Sequence, residues 1–285
     1  MPFFLARGAK NIPAEVQRWQ YFLLKRGFSQ TGGIDAEFGE KTEKATRFFQ
    51  VAQGLKTSGA LDRATLDAAT ALGYTVLASD YYATRNKTEW PAKPPGTASP
   101  SNKWRNEQFT CFLFKQLARQ FRPDAESIVM DGSCDGKYPD WSKEFIVDIA
   151  VKQLEFAKGY PGYVRCHRLA ADHIIALFEA WEKADLLHLI VRYEGCFVPR
   201  YKRNQSPGNG PQPQRRSADV DQLSNHSFGS AFDINYAQNT FPDQPALCGA
   251  FGSTRELVQR AADLGFYWGG FFRDGNHFEL AHLSQ

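Results

Sequence analysis

Two histidines and one acid in this 285-residue chain are of the types that hold a zinc ion. His226 and Asp233 sit in the run SNHSFGSAFDIN, which starts at Ser224, and His277 sits in RDGNHFEL, which starts at Arg273. Zinc accepts imidazole nitrogen and carboxylate oxygen, and a catalytic zinc keeps three protein ligands with one position open. His226 and Asp233 are separated by an odd number of residues, so one unbroken strand would turn them to opposite faces. They can share an ion only if the chain bends between them, and Gly229 permits such a bend without a Cβ clash. Residues 231–235 read as a short buried strand carrying Asp233. Phe278 and Leu280 alternate with His277 and Glu279, which predicts a second strand carrying His277. Asp274 lies three residues before His277, beside Gly275, where a carboxylate can take up a proton from attacking water. Glu279 shares the strand face of His277. It either orients that ligand or serves as the base in place of Asp274, and Asp274 is favoured.

The surrounding elements must bring these distant segments together. Residues 169–192 predict a long amphipathic helix or helix pair, with Ile174, Leu177, Phe178 and Trp181 on one face. Residues 255–264 predict a helix packed on the sheet, and the aromatic run after Gly265 predicts a strand and turn leading to Asp274. Residues 106–165 show apolar spacing of helical kind (Phe109, Phe112, Leu113 and Leu117, then Phe145, Ile149 and Leu154) and are expected to form a helical extension. Within them, Asp131 opens a turn-rich stretch read as a loop, since its spacing does not suit a calcium loop. Residues 205–216 are rich in Pro, Gly and Gln and are expected to be a flexible loop at the cleft entrance. His167, His173 and His188 lack carboxylates at metal spacing and read as surface or packing residues, and His282 is expected to lie outside the site.

The first 75 residues predict a small helical domain. Pro13 precedes Val16, Trp19 and Leu23 at helical spacing; a second helix is expected to turn Ala45, Phe48 and Phe49 inward; Asp62 is a good N-cap for a third. Residues 76–105, with the run WPAKPPGTASPS from Trp90, predict an interdomain linker that gives an enzyme reach. Residues 106–285 then form the second domain. The expected class is α+β: a three-helix domain, a linker, and a catalytic domain whose helices pack on a small antiparallel sheet carrying the metal site.

Composition is that of a globular protein, 42% apolar and 23% charged. The net charge of +3 comes without a dense Lys/Arg stripe, so nucleic acid is not expected as a partner. No apolar run reaches membrane-spanning length. The first ten residues show no leader pattern, so the expectation is synthesis in the cytoplasm and exit by another route. Five cysteines occur without a C-x-x-C pair, which argues against a cysteine zinc site. Reduced buried thiols are expected, with Cys166 and Cys196 the pair to consider if the protein is exported.

The pattern S-x-H-x-x-G-x-A-x-D from Ser224 to Asp233, followed by Asp274 and His277 as D-x-x-H, resembles the zinc D-alanyl-D-alanine carboxypeptidases and L-alanyl-D-glutamate endopeptidases over about residues 150–285. The resemblance implies one zinc per chain held by His226, Asp233 and His277, with Asp274 as general base and Ser224 bonding substrate. Residues 195–200 resemble the family's substrate strand, but Phe197 stands where its arginine is usual. Arg200 or Arg203 is expected to serve instead, stabilising developing charge. The N-terminal segment resembles the three-helix peptidoglycan-binding domain: Val16, Gln20 and Leu23; Asp35, Phe38, Gly39, Thr42, Ala45, Phe49 and Gln50; Gly54, Leu55, Gly59, Asp62 and Thr65. Together the two imply a monomeric zinc peptidase, endolysin-like, acting on the stem peptide of bacterial peptidoglycan, as endopeptidase or carboxypeptidase. A non-catalytic wall-binding protein with a structural metal and a zinc amidase are the alternatives.

Overall fold

The computed structural model describes residues 4–76, 90–93, 98–117, 127–202, 205 and 213–283. The chain is α+β. Three helices come first: α1 (Pro13–Lys25), α2 (Glu40–Ala52) and α3 (Arg63–Ala71). Proline at the start of α1 costs no hydrogen bond, because the first amides of a helix have no partner within it. The Asp62 side chain accepts from the Thr65 amide at 2.9 Å and caps α3. Val16, Trp19, Leu23, Phe38, Ala45, Phe49 and Leu66 form a separate small core, with Phe49 and Tyr74 meeting Trp19 edge-on. Gln20 is wholly buried and ties this module together: its amide bonds Asp35, Glu37 and Thr42. Phe48, expected inward, is exposed.

The expected helical extension over 106–165 is not what forms. A helix α4 (Asn102–Gln108) is followed by strands β1 (Phe112–Gln116) and β2 (Ile128–Ser133), a short helix α5 (Trp141–Phe145) and strand β3 (Ile146–Ile149). The aromatics at 109, 112 and 114 suit a helix face only in part. Phe112 and Phe114 alternate with the half-exposed Leu113, and that period of two belongs to a strand. Asp131 is in β2, not a loop. The β1–β2 hairpin is closed by a Cys111–Cys134 disulfide, so the expectation of reduced thiols fails for this pair. Cys166 and Cys196 stay unpaired and buried. Part of the stretch 205–216 also has regular structure, since β6 (Arg215–Arg216) pairs with β1. Residues 206–212 of that stretch, Arg203 and most of the expected linker lie outside the described residues.

Strand β4 (Val164–His167) pairs with β3 and leads into α6 (Arg168–Lys183). The sheet that matters for the site has four antiparallel strands in the order β5 (Tyr193–Gly195), β7 (Ala231–Ile234), β9 (His277–Leu280) and β8 (Phe266–Trp268). Between them lie the short α7 (Tyr236–Asn239) and α8 (Val258–Asp263). Alternation divides this sheet. Phe232 and Phe278, directly opposite each other and stacked at 5.7 Å, face α6, where they meet Phe178 and Trp181. Asp233, His277, Ala231 and Glu279 take the other face. Burying large aromatics on one side makes the register costly to slip, and the register sets which polar groups face the cleft.

The two modules touch. Arg18, nearly buried on α1, donates to the Thr75 carbonyl at 2.9 Å and bonds the Asp185 carboxylate. Gln17 bonds the His188 carbonyl, Lys25 pairs with Glu182 at 2.9 Å, and Tyr21 meets Phe156 edge-on. No helix among the described residues is long and apolar enough to cross a membrane.

Candidate active site

Asp233 and His277 are direct partners in the β7–β9 register, so their side chains leave the sheet on one face side by side. His277 Nδ1 lies 3.0 Å from Asp233 Oδ1. His226 reaches the same oxygen from outside the sheet, with Nε2 at 3.1 Å. It sits on a 3-10 turn of residues 225–228 that Gly229 ends in the left-handed conformation, φ +66°. A Cβ at Gly229 would stand 2.6 Å from the His167 amide, an amide that donates to Gly229's own carbonyl at 2.9 Å. The bend is therefore made by the one residue type that tolerates both the φ and the close approach.

The three donor atoms lie within 4.8 Å of one another. Their chemistry fits a zinc ion. The Cys196 carbonyl can only accept, so His226 Nδ1, 2.8 Å away, is the protonated nitrogen and Nε2 is left as a ligand atom. His277 presents Nδ1 to the cluster and turns Nε2 away, toward Asn225 at 3.4 Å and Glu279 at 4.0 Å. Burial works to raise the Asp233 carboxyl, but the charges and hydrogen bonds of His226 and His277 outweigh it and hold it well below the usual range. Burial works to lower His277, and hydrogen bonding to Asp233 and Glu279 wins, lifting it to about 10. Glu279, without exposed surface, is held below the usual carboxylate range: burial opposes this, and the Arg105 charge leads the groups that overcome it.

The cluster lines a cavity of about 590 Å³. Ser224, Arg200 and Asp274 line it too. Ser224 is fixed by its amide, which donates to the Arg200 carbonyl at 2.9 Å. The Arg200 amide in turn donates to Ser227 Oγ at 3.0 Å. Arg200 Nε is buried with no partner among the described residues, a donor waiting for an acceptor. Asp274 follows a turn in which Arg273 takes φ +69°, and its amide donates to the Gly269 carbonyl at 3.0 Å. Gly269 must lack a Cβ, which would fall 2.5 Å from the Asp274 carbonyl and 2.8 Å from His277 Cβ.

Glu279 is not among the lining residues. Phe197 is absent from the lining as well. His282 is exposed, on a separate depression that it shares with His173. His167 and His188 are buried. Sequence reasoning missed Arg105, Asn225 and Lys202, and the wall formed by Tyr236, Phe241 and Phe272. Asn225 carried a signal, its place next to His226; Arg105 carried none, because its partner Glu279 lies 174 residues away.

Residues 218–280, which contain all three cluster residues and Asp274, match the family model described as D-alanyl-D-alanine carboxypeptidase. That segment of the chain is similar to the family. Residues 13–69, the span of α1 to α3, match the model of a peptidoglycan binding domain. The pairing of a peptidase segment with a wall-binding module makes this a peptidase that acts on peptidoglycan. No curated protein and no solved structure matches the chain.

Proposed function

We propose that this chain is a zinc peptidase that cleaves the stem peptide of bacterial peptidoglycan, working on intact wall as an endopeptidase in a lytic role. The observation that carries the reading is the convergence of His226 Nε2, Asp233 Oδ1 and His277 Nδ1 on the floor of a cavity that also holds Asp274 and Arg200. These three residues would hold the ion, one per chain. Bound there, zinc supplies a Lewis acid that polarises the scissile carbonyl and makes water acidic enough to attack near neutral pH. The Asp274 carboxylate takes the proton of the attacking water and returns it to the leaving amine. The Arg200 guanidinium bonds the oxygen on which negative charge grows, satisfying its orphaned Nε. Ser224 bonds the peptide and keeps it in register. Glu279 acts behind His277 and does not touch substrate.

A binding module favours a polymeric substrate over a soluble peptide, which supports the endopeptidase over a carboxypeptidase. The Cys111–Cys134 disulfide supports work outside the reducing cytoplasm. The test is digestion of purified sacculi followed by mass spectrometry of the new ends. Expected are a free amine and carboxylate within the stem peptide, loss of activity with a chelator, and recovery with zinc. Ends at the glycan–peptide junction would make the protein an amidase instead. No new ends at all, with zinc bound, would leave a wall-binding protein with a structural metal.

A further inference from the structure

Arg105 lies in α4, far ahead of the segment that matches the peptidase family, yet it is almost wholly buried and borders the same cavity as the cluster. Its guanidinium takes both oxygens of Glu279: Nε bonds Oε1, and Nη2 bonds Oε2 at 3.1 Å. Glu279 has no exposed surface, and a carboxylate so placed stays charged only when paired and hydrogen-bonded. Asn225 adds the second brace, with Nδ2 donating to Oε2 at 2.6 Å. That oxygen is 4.0 Å from His277 Nε2. The chain of contacts thus runs from α4, through Glu279, to the rear of a cluster histidine whose front nitrogen faces Asp233 at 3.0 Å.

We propose that Arg105 is a positioning residue for the metal centre. Acting through Glu279, with Asn225 as the second brace, it holds the His277 ring so that Nδ1 stays aimed at the point where His226 and Asp233 meet. The inference rests on the zinc reading above. With Nδ1 given to a metal, the ring proton is on Nε2, and Glu279 is the anion nearest to it. A histidine ligand backed in this way by a carboxylate typically loses 10- to 100-fold in metal affinity when the backing is removed. Here the carboxylate is itself aimed by a two-pronged guanidinium, which fixes its plane as a lysine point charge cannot. α4 is therefore part of the catalytic unit, and a peptidase cut down to the family-matched segment would lack the group that aligns one of its ligands.

The test uses the full chain, stripped of metal, with zinc affinity measured by competition against a chromogenic chelator. Arg105→Met removes the clamp but strands a buried anion and invites misfolding. The double variant Arg105→Met/Glu279→Gln removes both charges together and is the variant expected to fold. Both are expected to weaken zinc binding by about 10-fold or more, and Arg105→Lys to recover part of the loss. At saturating cobalt, the visible absorption bands of the double variant should shift from those of the wild type, a change that a mere loss of α4 anchoring would not produce. Zinc affinity within twofold of wild type in the double variant, with unshifted cobalt bands, overturns the proposal and leaves Arg105 as an anchor for α4 alone. A wild-type chain that binds no zinc would instead bring down the metal reading itself, and this inference with it.

Discussion

At the scale of single residues, the cavity divides its polar groups by what already holds them. His226, Asp233 and His277 have their partners in one another and in the backbone, whereas the buried Nε of Arg200 has none among the described residues. Replacing Asp274 with Asn keeps the shape and removes the carboxylate proposed as the proton acceptor. Turnover of muropeptide should fall by about 10²- to 10⁴-fold, with zinc content, read by atomic emission, unchanged. Arg200→Ala should lower kcat/KM by about 10²-fold; a variant within twofold of wild type would remove Arg200 from the chemistry. The meeting of His226, Asp233 and His277 was the most legible from sequence, because residue types at fixed spacings do not depend on what surrounds them. Arg105 was illegible for the opposite reason. Its meaning lies wholly in a partner 174 residues away, and no local pattern encodes such a pair.

At the scale of elements, one residue decides whether the loop and the sheet can share a ligand set. Gly229 holds φ +66° with no room for a Cβ beside the His167 amide. Gly229→Ala should cost roughly 1–2 kcal/mol from the left-handed backbone alone, and more from the contact. It should also loosen zinc, because His226 must move with the turn; a thermal melt and a metal titration together check this. The sheet and its aromatic face were readable from period-two alternation. The hairpin of β1 and β2 was misread because Phe109, Phe112 and Leu113 stand at helical spacing and the strands are short. The disulfide closing that hairpin spans 23 residues; reducing it, or Cys111→Ser with Cys134→Ser, should cost about 2–4 kcal/mol. Alkylation of the unfolded, unreduced chain should label three thiols, since of the five cysteines Cys111 and Cys134 are the two joined in a disulfide.

At the scale of the whole molecule, the feature that composition and motifs concealed is the seam between the modules. A Pro-rich stretch announced a tether, and nothing in the helical patterns showed that α1 carries a second contact surface through Gln17, Arg18, Tyr21 and Lys25. His188 is buried at that seam with neither ring nitrogen partnered among the described residues. Burial, with the nearby Arg18 charge, pushes it down to about 3. An unfolded chain protonates its histidine near pH 6.5, so between pH 6.5 and 3 the unfolded state holds more protons. Stability is then full above pH 6.5 and declines as the solution is acidified. Urea midpoints at pH 7.0 and 5.0 should differ less in His188→Gln than in wild type; equal differences would remove His188 from the acid response. Because handle and blade meet along a packed face, the span between grip and cut is set by the fold and not by the slack of a connector. On the proposed reading, an enzyme built this way would cut at a set offset from where it holds the wall and would have to let go before cutting elsewhere.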